Sequence, residues 1–248
     1  MKKSLAASAA FLCLATQGVL AQGGPPMVTD DPETPGNGKW EINLGAIGNR
    51  TATRKEINVP DADINYGLGE RIQLKVDVPW TFAKESGEGW KSGLGTESVG
   101  VKWRFIDGGE DGLSVSTYPQ YVSAWSSSSK ERGVASPERE FFLPIEFARK
   151  FGEWTLDGEV GRNFVHGGDN EWIVGGIVAH KCGGEAGECL IEVRDRTTSD
   201  DSHTLVNLGL RWKLSEHSTL LASAGREFGP RTDDRKDFVF YLGVQLER

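Results

Sequence analysis

Two histidines stand where acid–base chemistry is possible: His166 in VHGGDN, close to Asp169, and His203 in SDDSHT, close to Ser199, Asp200, Asp201 and Ser202. An imidazole oriented by a carboxylate can take the proton of a serine hydroxyl and make it a nucleophile, which is hydrolytic chemistry. Ser, Asp and His are also the ordinary composition of a solvated loop, and the sequence favours that reading, with a surface hydrolase as the alternative. The triplet Asp61, Asp63, Asn65 begins like a calcium loop, but Gly67 falls one place late and Ile72 stands where a bidentate Glu is required. No metal or cofactor is expected. Cys182 and Cys189 in KCGGEAGEC have no second ligand pair beside them, so a disulfide stapling a hairpin is expected rather than a metal site.

The elements that must hold these residues are strands. RIQLKVDVPWTF places Ile72, Leu74, Val76, Val78, Trp80 and Phe82 on one face and Gln73, Lys75 and Asp77 on the other, a period of two. The same alternation recurs in twelve runs, near 39–48, 56–66, 71–83, 97–106, 112–125, 139–148, 154–165, 171–181, 189–196, 203–213, 219–228 and 237–247. Connections after the even-numbered runs are compact (GLGE, RKFGE, LSEHS), and those after the odd-numbered runs tend to be longer and more polar (SSSSKERGVASP, GPRTDDRKD). That asymmetry and an even strand number are expected of a transmembrane barrel with short periplasmic turns.

A soluble sandwich alternates too, so the tryptophans decide. Trp40, Trp80, Trp103, Trp125, Trp154, Trp172 and Trp212 fall at or near strand ends, most on the apolar face. Indole prefers a membrane interface, where its body is apolar and its N–H stays wet. Trp40, Trp103, Trp154 and Trp212 are therefore expected to form a periplasmic ring, with Trp80, Trp125 and Trp172 joining Phe82, Phe164 and Phe238 in an outer one. The fold expected is all-β: a transmembrane antiparallel up-and-down β-barrel of about twelve strands. A faint repeat (GKWEINL against GEWTLDG, GVKWRF against GLRWKL) relates its two halves.

With the apolar face on lipid, the other face lines the lumen. It carries Glu41, Asp61, Asp63, Asp77, Glu146, Asp157, Glu159 and Glu192 against Lys75, Lys102, Arg104, Arg211 and Lys213. A hairpin turn at Leu68-Gly69-Glu70 would set Asp63 opposite Lys75 and Asn65 opposite Gln73. Such pairs build either a salt-bridged plug or the wall of a narrow polar pathway, since twelve strands fall between filled eight-stranded barrels and open porins.

Met1-Lys2-Lys3, the Ala/Leu-rich stretch to Leu20 and Ala21 before a Pro/Gly-rich segment read as a secretory signal, residues 1–21, which would carry Cys13 away with it. The chain has 28 Lys and Arg, 36 Asp and Glu and a formal charge of −8; loss of Lys2 and Lys3 takes the mature chain to about −10. No basic stripe interleaved with aromatics is present, so no nucleic-acid partner is expected. Residues 22–37, QGGPPMVTDDPETPGN, should lack regular structure. They are expected either to enter the lumen from the periplasm, placing Asp30, Asp31 and Glu33 near Arg104 or Arg211, or to run as an extended leader into the barrel, residues 38–248.

TDDPETPGNGKWEINLG, DINYGLGERIQLKVDVPW, GVKWRFID and NLGLRWKLSEHSTLLASAGR resemble a family of outer-membrane proteins grouped as MetA-pathway phenol-degradation or transporter-like proteins. The resemblance spans most of the mature chain. It implies a twelve-strand-like outer-membrane barrel passing small, aromatic or hydrophobic compounds. The chain departs at Leu246-Glu247-Arg248, where the terminal aromatic commonly read by barrel-assembly machinery is missing. The expected partners are outer-membrane lipid, that assembly machinery and a small-molecule solute, and the expected state is a monomer in the cell outer membrane.

Overall fold

A strand that meets lipid outside and polar groups inside must invert the usual rule of burial, and these strands do. Along Trp154–His166, Thr155, Asp157, Glu159 and Asn163 are buried, while Trp154, Leu156, Val160 and Phe164 are exposed. The computed structural model describes residues 24–109 and 112–248. The expected signal segment, Gln22 and Gly23 lie outside the described residues.

Fourteen strand segments build the sheet: β1 Trp40–Arg50, β2 Arg54–Leu68, β3 Ile72–Glu85, β4 Lys91–Leu94, β5 Glu97–Ile106, β6 Ser114–Thr117, β7 Gln120–Ser123, β8 Arg139–Phe151, β9 Trp154–His166, β10 Glu171–Lys181, β11 Gly187–Thr197, β12 Ser202–Ser215, β13 Ser218–Phe228 and β14 Phe238–Glu247. Residues 95–96 interrupt one stave between β4 and β5, and residues 118–119 another between β6 and β7, so the barrel has twelve staves. All neighbours run antiparallel, and β14 closes on β1. Trp40 N donates to Arg248 O at 2.8 Å and Arg248 N returns to Trp40 O at 2.9 Å. Closure leaves no free edge, the condition for a sheet to cross a membrane.

All seven strand-end tryptophans are exposed. At the periplasmic end Trp40 packs on Tyr66 (4.7 Å between centroids) and Trp154 on His180 (4.2 Å). Cys182, just past the end of β10, and Cys189, near the start of β11, form a disulfide. Its ends are 7 residues apart, so the bond closes a short loop already held by the ladder. Cys182→Ser with Cys189→Ser is expected to lower unfolding stability by roughly 2–3 kcal/mol in a urea titration, with strand content unchanged.

Two expectations change. The β2–β3 hairpin pairs Leu68 with Ile72, which places Asp63 opposite Asp77 and Asn65 opposite Lys75. The turn contains three residues, 69–71, with Gly69 at φ +71°, so its centre falls one residue later and every partner moves by two. The expected contacts survive as diagonals: Lys75 Nζ lies 3.1 Å from Asp63 Oδ2, and Gln73 Nε2 donates to Asn65 Oδ1 at 2.7 Å. The outer connections are also less uniform than expected. Those after β1, β9 and β11 are short, and Lys91–Leu94 extends the sheet by pairing with β3 from Trp80 to Ala83. Only 124–138 and 229–237 are long outer loops.

Candidate functional site

The lumen is occupied by the chain's own N-terminal segment. Residues 24–37 enter from the short-turn end, the expected periplasmic one, where Gly38 N donates to Gly67 O at 2.9 Å and Gly69 N to Asn37 Oδ1 at 3.0 Å. Four prolines and three acids deny this stretch a ladder of its own. Its backbone polar groups must therefore be satisfied by the wall.

Glu192 receives the amides of Thr29 (2.6 Å) and Val28 (3.1 Å) on Oε1 while its Oε2 accepts from Asn207 Nδ2 at 3.2 Å. Arg211 Nη2 donates to the carbonyls of Gly24 and Pro25, each at 3.4 Å, and its Nη1 lies 3.2 Å from Glu188. Ser223 Oγ donates to Pro26 O at 2.7 Å. On the opposite wall Lys102 lies 3.0 Å from Asp30 Oδ1 and 3.6 Å from Glu146 Oε2, and it also donates to the Asp31 carbonyl. Arg104 Nη1 meets Glu33 Oε2 at 2.5 Å. Tyr118, wholly buried, stands 4.9 Å from the Lys102 ammonium and 5.7 Å from that of Lys75. The segment thus bridges β5 on one side and β11–β13 on the other. Beside it, among Asp30, Asp31, Glu41, Asp63, Lys75 and Lys102, a cavity of about 20 Å³ remains. That is room for a water molecule and not for an organic solute.

The charged residues expected on the inner face are joined there by an apolar patch that the sequence reading did not name. Ile177, Ala179 and Leu190 are buried inside the barrel and receive Met27. The positions are on the inward parity of β10 and β11, so the apolar exceptions to the alternation were a readable mark of a docking point. Wall glycines were a second mark. A Cβ on Gly175 would fall 2.2 Å from Thr29 Oγ1, and one on Gly209 would fall 2.7 Å from Met27 Cε. Gly67 does the same for the Gly36 backbone, at 1.8 Å from its carbonyl oxygen.

Of the other charged residues singled out, Asp61 and Asp157 are buried, and Glu41 and Asp77 are half-buried. Glu159 lies 3.2 Å from Arg194, a partner the sequence reading missed. Lys213 shares the inward parity of Arg211 but is exposed at the periplasmic end of β12. Glu97, also missed, is fully buried and accepts the Trp125 amide at 2.7 Å, tying the start of the long outer loop to the wall.

That loop folds inward over the outer mouth. It carries α1, Ser127–Glu131, and buries Ser129, Val134 and Ala135. Arg54 holds it through the carbonyls of Gly133 (2.8 Å) and Val134 (3.4 Å) while pairing with Glu56 and Glu85. Between loop and wall, Asn58, Thr81, Thr96 and Ser136 help to line a polar recess of about 330 Å³.

The hydrolytic constellation is not assembled. Ser202 and His203 are adjacent on a strand and so face opposite ways. Ser202 Oγ donates to Asp195 at 3.0 Å, whereas His203, 3% exposed, sits 3.2 Å from Pro230 O and 3.0 Å from Thr232 Oγ1. His166 is exposed at the end of β9, and His180 lies near Glu153 at the periplasmic end. Asp61, Asp63 and Asn65 are bound up in the wall network above, and among the described residues no cluster of three or more metal-ligating side chains occurs.

The other long outer loop is clasped by Asp234, which accepts from Thr232 Oγ1 at 2.5 Å and Arg196 Nη2 at 2.8 Å. Burial works against its charge, but those two donors hold the carboxyl down at about 2. A carboxylate with a depressed pKa lends its stability above the unfolded value and loses it as pH falls through the folded one. The clasp should therefore persist at pH 4 and release as the pH approaches 2. Amide shifts of Thr232 and Asp234 in micelle-folded protein check this; a midpoint at an ordinary aspartate pKa would refute it.

No family model matches the chain, and no curated protein matches it. Solved structures do. The chain superposes on an outer membrane channel from Pseudomonas putida F1 with a TM-score of 0.67 at 13% identity, covering 88% of this chain and 98% of that one. The KdgM porin follows at 0.57 and 9% identity, covering 83% and 98%, and the NanC porin at 0.56 and 9%, covering 84% and 98%. The fold is therefore that of a closed twelve-stave outer-membrane β-barrel, the architecture these solved structures share.

Proposed function

We propose that this protein is an outer-membrane channel for small solutes, held shut on its periplasmic side by residues 24–37. The observation that carries the reading is what closes the lumen. The central obstruction is a segment outside the ladder, tethered to β1 and otherwise held by hydrogen bonds, ion pairs and the Met27 contact, so it can leave without the barrel unfolding. The polar recess under the outer loop would be the entry vestibule, and the wall charges would set selectivity. On the inner face the eight acids singled out above exceed the five cations, so an open pore should prefer cations.

Passage of aromatic compounds rests on the family resemblance carried by phrases from TDDPETPGNGKWEINLG to NLGLRWKLSEHSTLLASAGR. The polar recess equally suits hydroxylated solutes. Swelling of liposomes holding the refolded protein, in isosmotic benzoate, phenol or hexose, would separate these classes. A closed structural barrel is the second reading, favoured by the tight seal about Lys102 and Glu192. Planar-bilayer recording tests the channel: an intact refolded chain at baseline that gives discrete, cation-preferring steps once residues 24–34 are removed supports it, and silence from the folded deletion variant as well favours the structural reading.

A further inference from the structure

At the outer rim three cations stand side by side across three strands. Arg50 of β1 pairs in register with Lys55 of β2, and Lys55 with Lys84 of β3. They share the outward face: on β3, Trp80 and Phe82 are exposed and Thr81 and Ala83 buried, which sets Lys84 on the outer side, the next outward position beyond Phe82. None of the three forms an ion pair among the described residues, while their neighbour Arg54 is engaged on the inner face by Glu56 and Glu85. They line a groove of about 480 Å³ with two carboxylates, each already paired: Glu85 with Arg54 at 2.6 Å and Asp237 with Arg235 at 2.7 Å.

Like charges directly opposite one another weaken a sheet unless an anion lies between them. Arg50 is also in register with the exposed Phe238, so aromatic rings adjoin the cations on both flanks. Aromatics mark the membrane interface, and cations just beyond them lie at headgroup depth. We propose that Arg50, Lys55 and Lys84 form a binding site for a phosphorylated glycolipid of the outward-facing leaflet, with its phosphate between the cations and its acyl chains against Phe82 and Phe238. The lipid supplies the missing counter-charge and fixes this side of the barrel at the depth of the leaflet. The inference rests on the membrane reading of the barrel.

The test is native mass spectrometry of detergent-folded mature protein titrated with bisphosphorylated lipid A, its dephosphorylated form, or inorganic phosphate. Vesicle insertion is measured alongside. The triple variant Arg50→Gln, Lys55→Gln, Lys84→Gln removes only exposed or half-buried charge. It should bind bisphosphorylated lipid A about a hundredfold more weakly, a roughly fivefold loss for each cation. The periplasmic-end control Lys39→Gln, Lys213→Gln should bind as the unaltered protein does. Equal binding by the triple variant, equal loss in the control, or full competition by inorganic phosphate would each overturn the site. A folded chain that fails to enter vesicles would overturn the membrane reading together with it.

Discussion

Deleting residues 24–34 from the mature chain is expected to turn a barrel at baseline current into one with discrete, long-lived conductance steps in a planar bilayer. The deletion removes the segment that spans from Lys102 and Arg104 to Glu192 and Arg211. It takes three acids out of the lumen and leaves the wall with its own excess of acids, so the steps should favour potassium over chloride in a salt gradient. The twelve staves need nothing from the segment, because every ladder bond closes within residues 40–248. Strand content and vesicle insertion should therefore be retained. A folded, inserted deletion variant that stays silent would show that the lumen is shut by the wall or the outer loop, and the gate assigned to the segment would be wrong.

The second large effect is expected at Lys102. The residue is 1% exposed, and its ammonium serves Asp30, the Asp31 carbonyl and Glu146 together. Lys102→Met leaves the two carboxylates buried without their cation. Breaking such a pair costs about 3–5 kcal/mol. Part of that cost is avoidable, because Asp30 can leave the lumen and Glu146 cannot. The equilibrium should shift toward the released segment by up to about 10²–10³-fold. Maleimide labelling of a Met27→Cys reporter reads this directly, since Met27 is 5% exposed when docked. Labelling should accelerate in Lys102→Met and slow again when Asp30→Asn is added, which removes one of the stranded charges. If labelling were unchanged, the ion pair would hold nothing in place. If Asp30→Asn failed to slow it, the effect would be damage to the wall.

The resemblance to porin-like channels and these two experiments bear on different questions. The superpositions establish how the strands are arranged. Whether the lumen opens depends on the balance between Met27 buried in its apolar pocket and the backbone entropy that a freed segment regains. The hydrogen bonds to Glu192 and the pairs at Lys102 and Arg104 decide that balance.

The sequence by itself determined the barrel. Which residues form strands and which face each side chain takes follow from a period of two, and the expectation of aromatic girdles from indole at strand ends; both are properties of ten or so consecutive residues. It also placed the wall charges and the Cys182–Cys189 staple on neighbouring elements. Tertiary structure alone chose between an extended leader and a plug, because that choice rests on contacts such as Thr29 N to Glu192, 163 residues apart. It also placed the β2–β3 turn one residue later and folded residues 124–138 inward through Arg54. A local pattern reports the face a side chain takes; only the closed sheet brings distant faces together around one axis, and the segment that satisfies them is selected there.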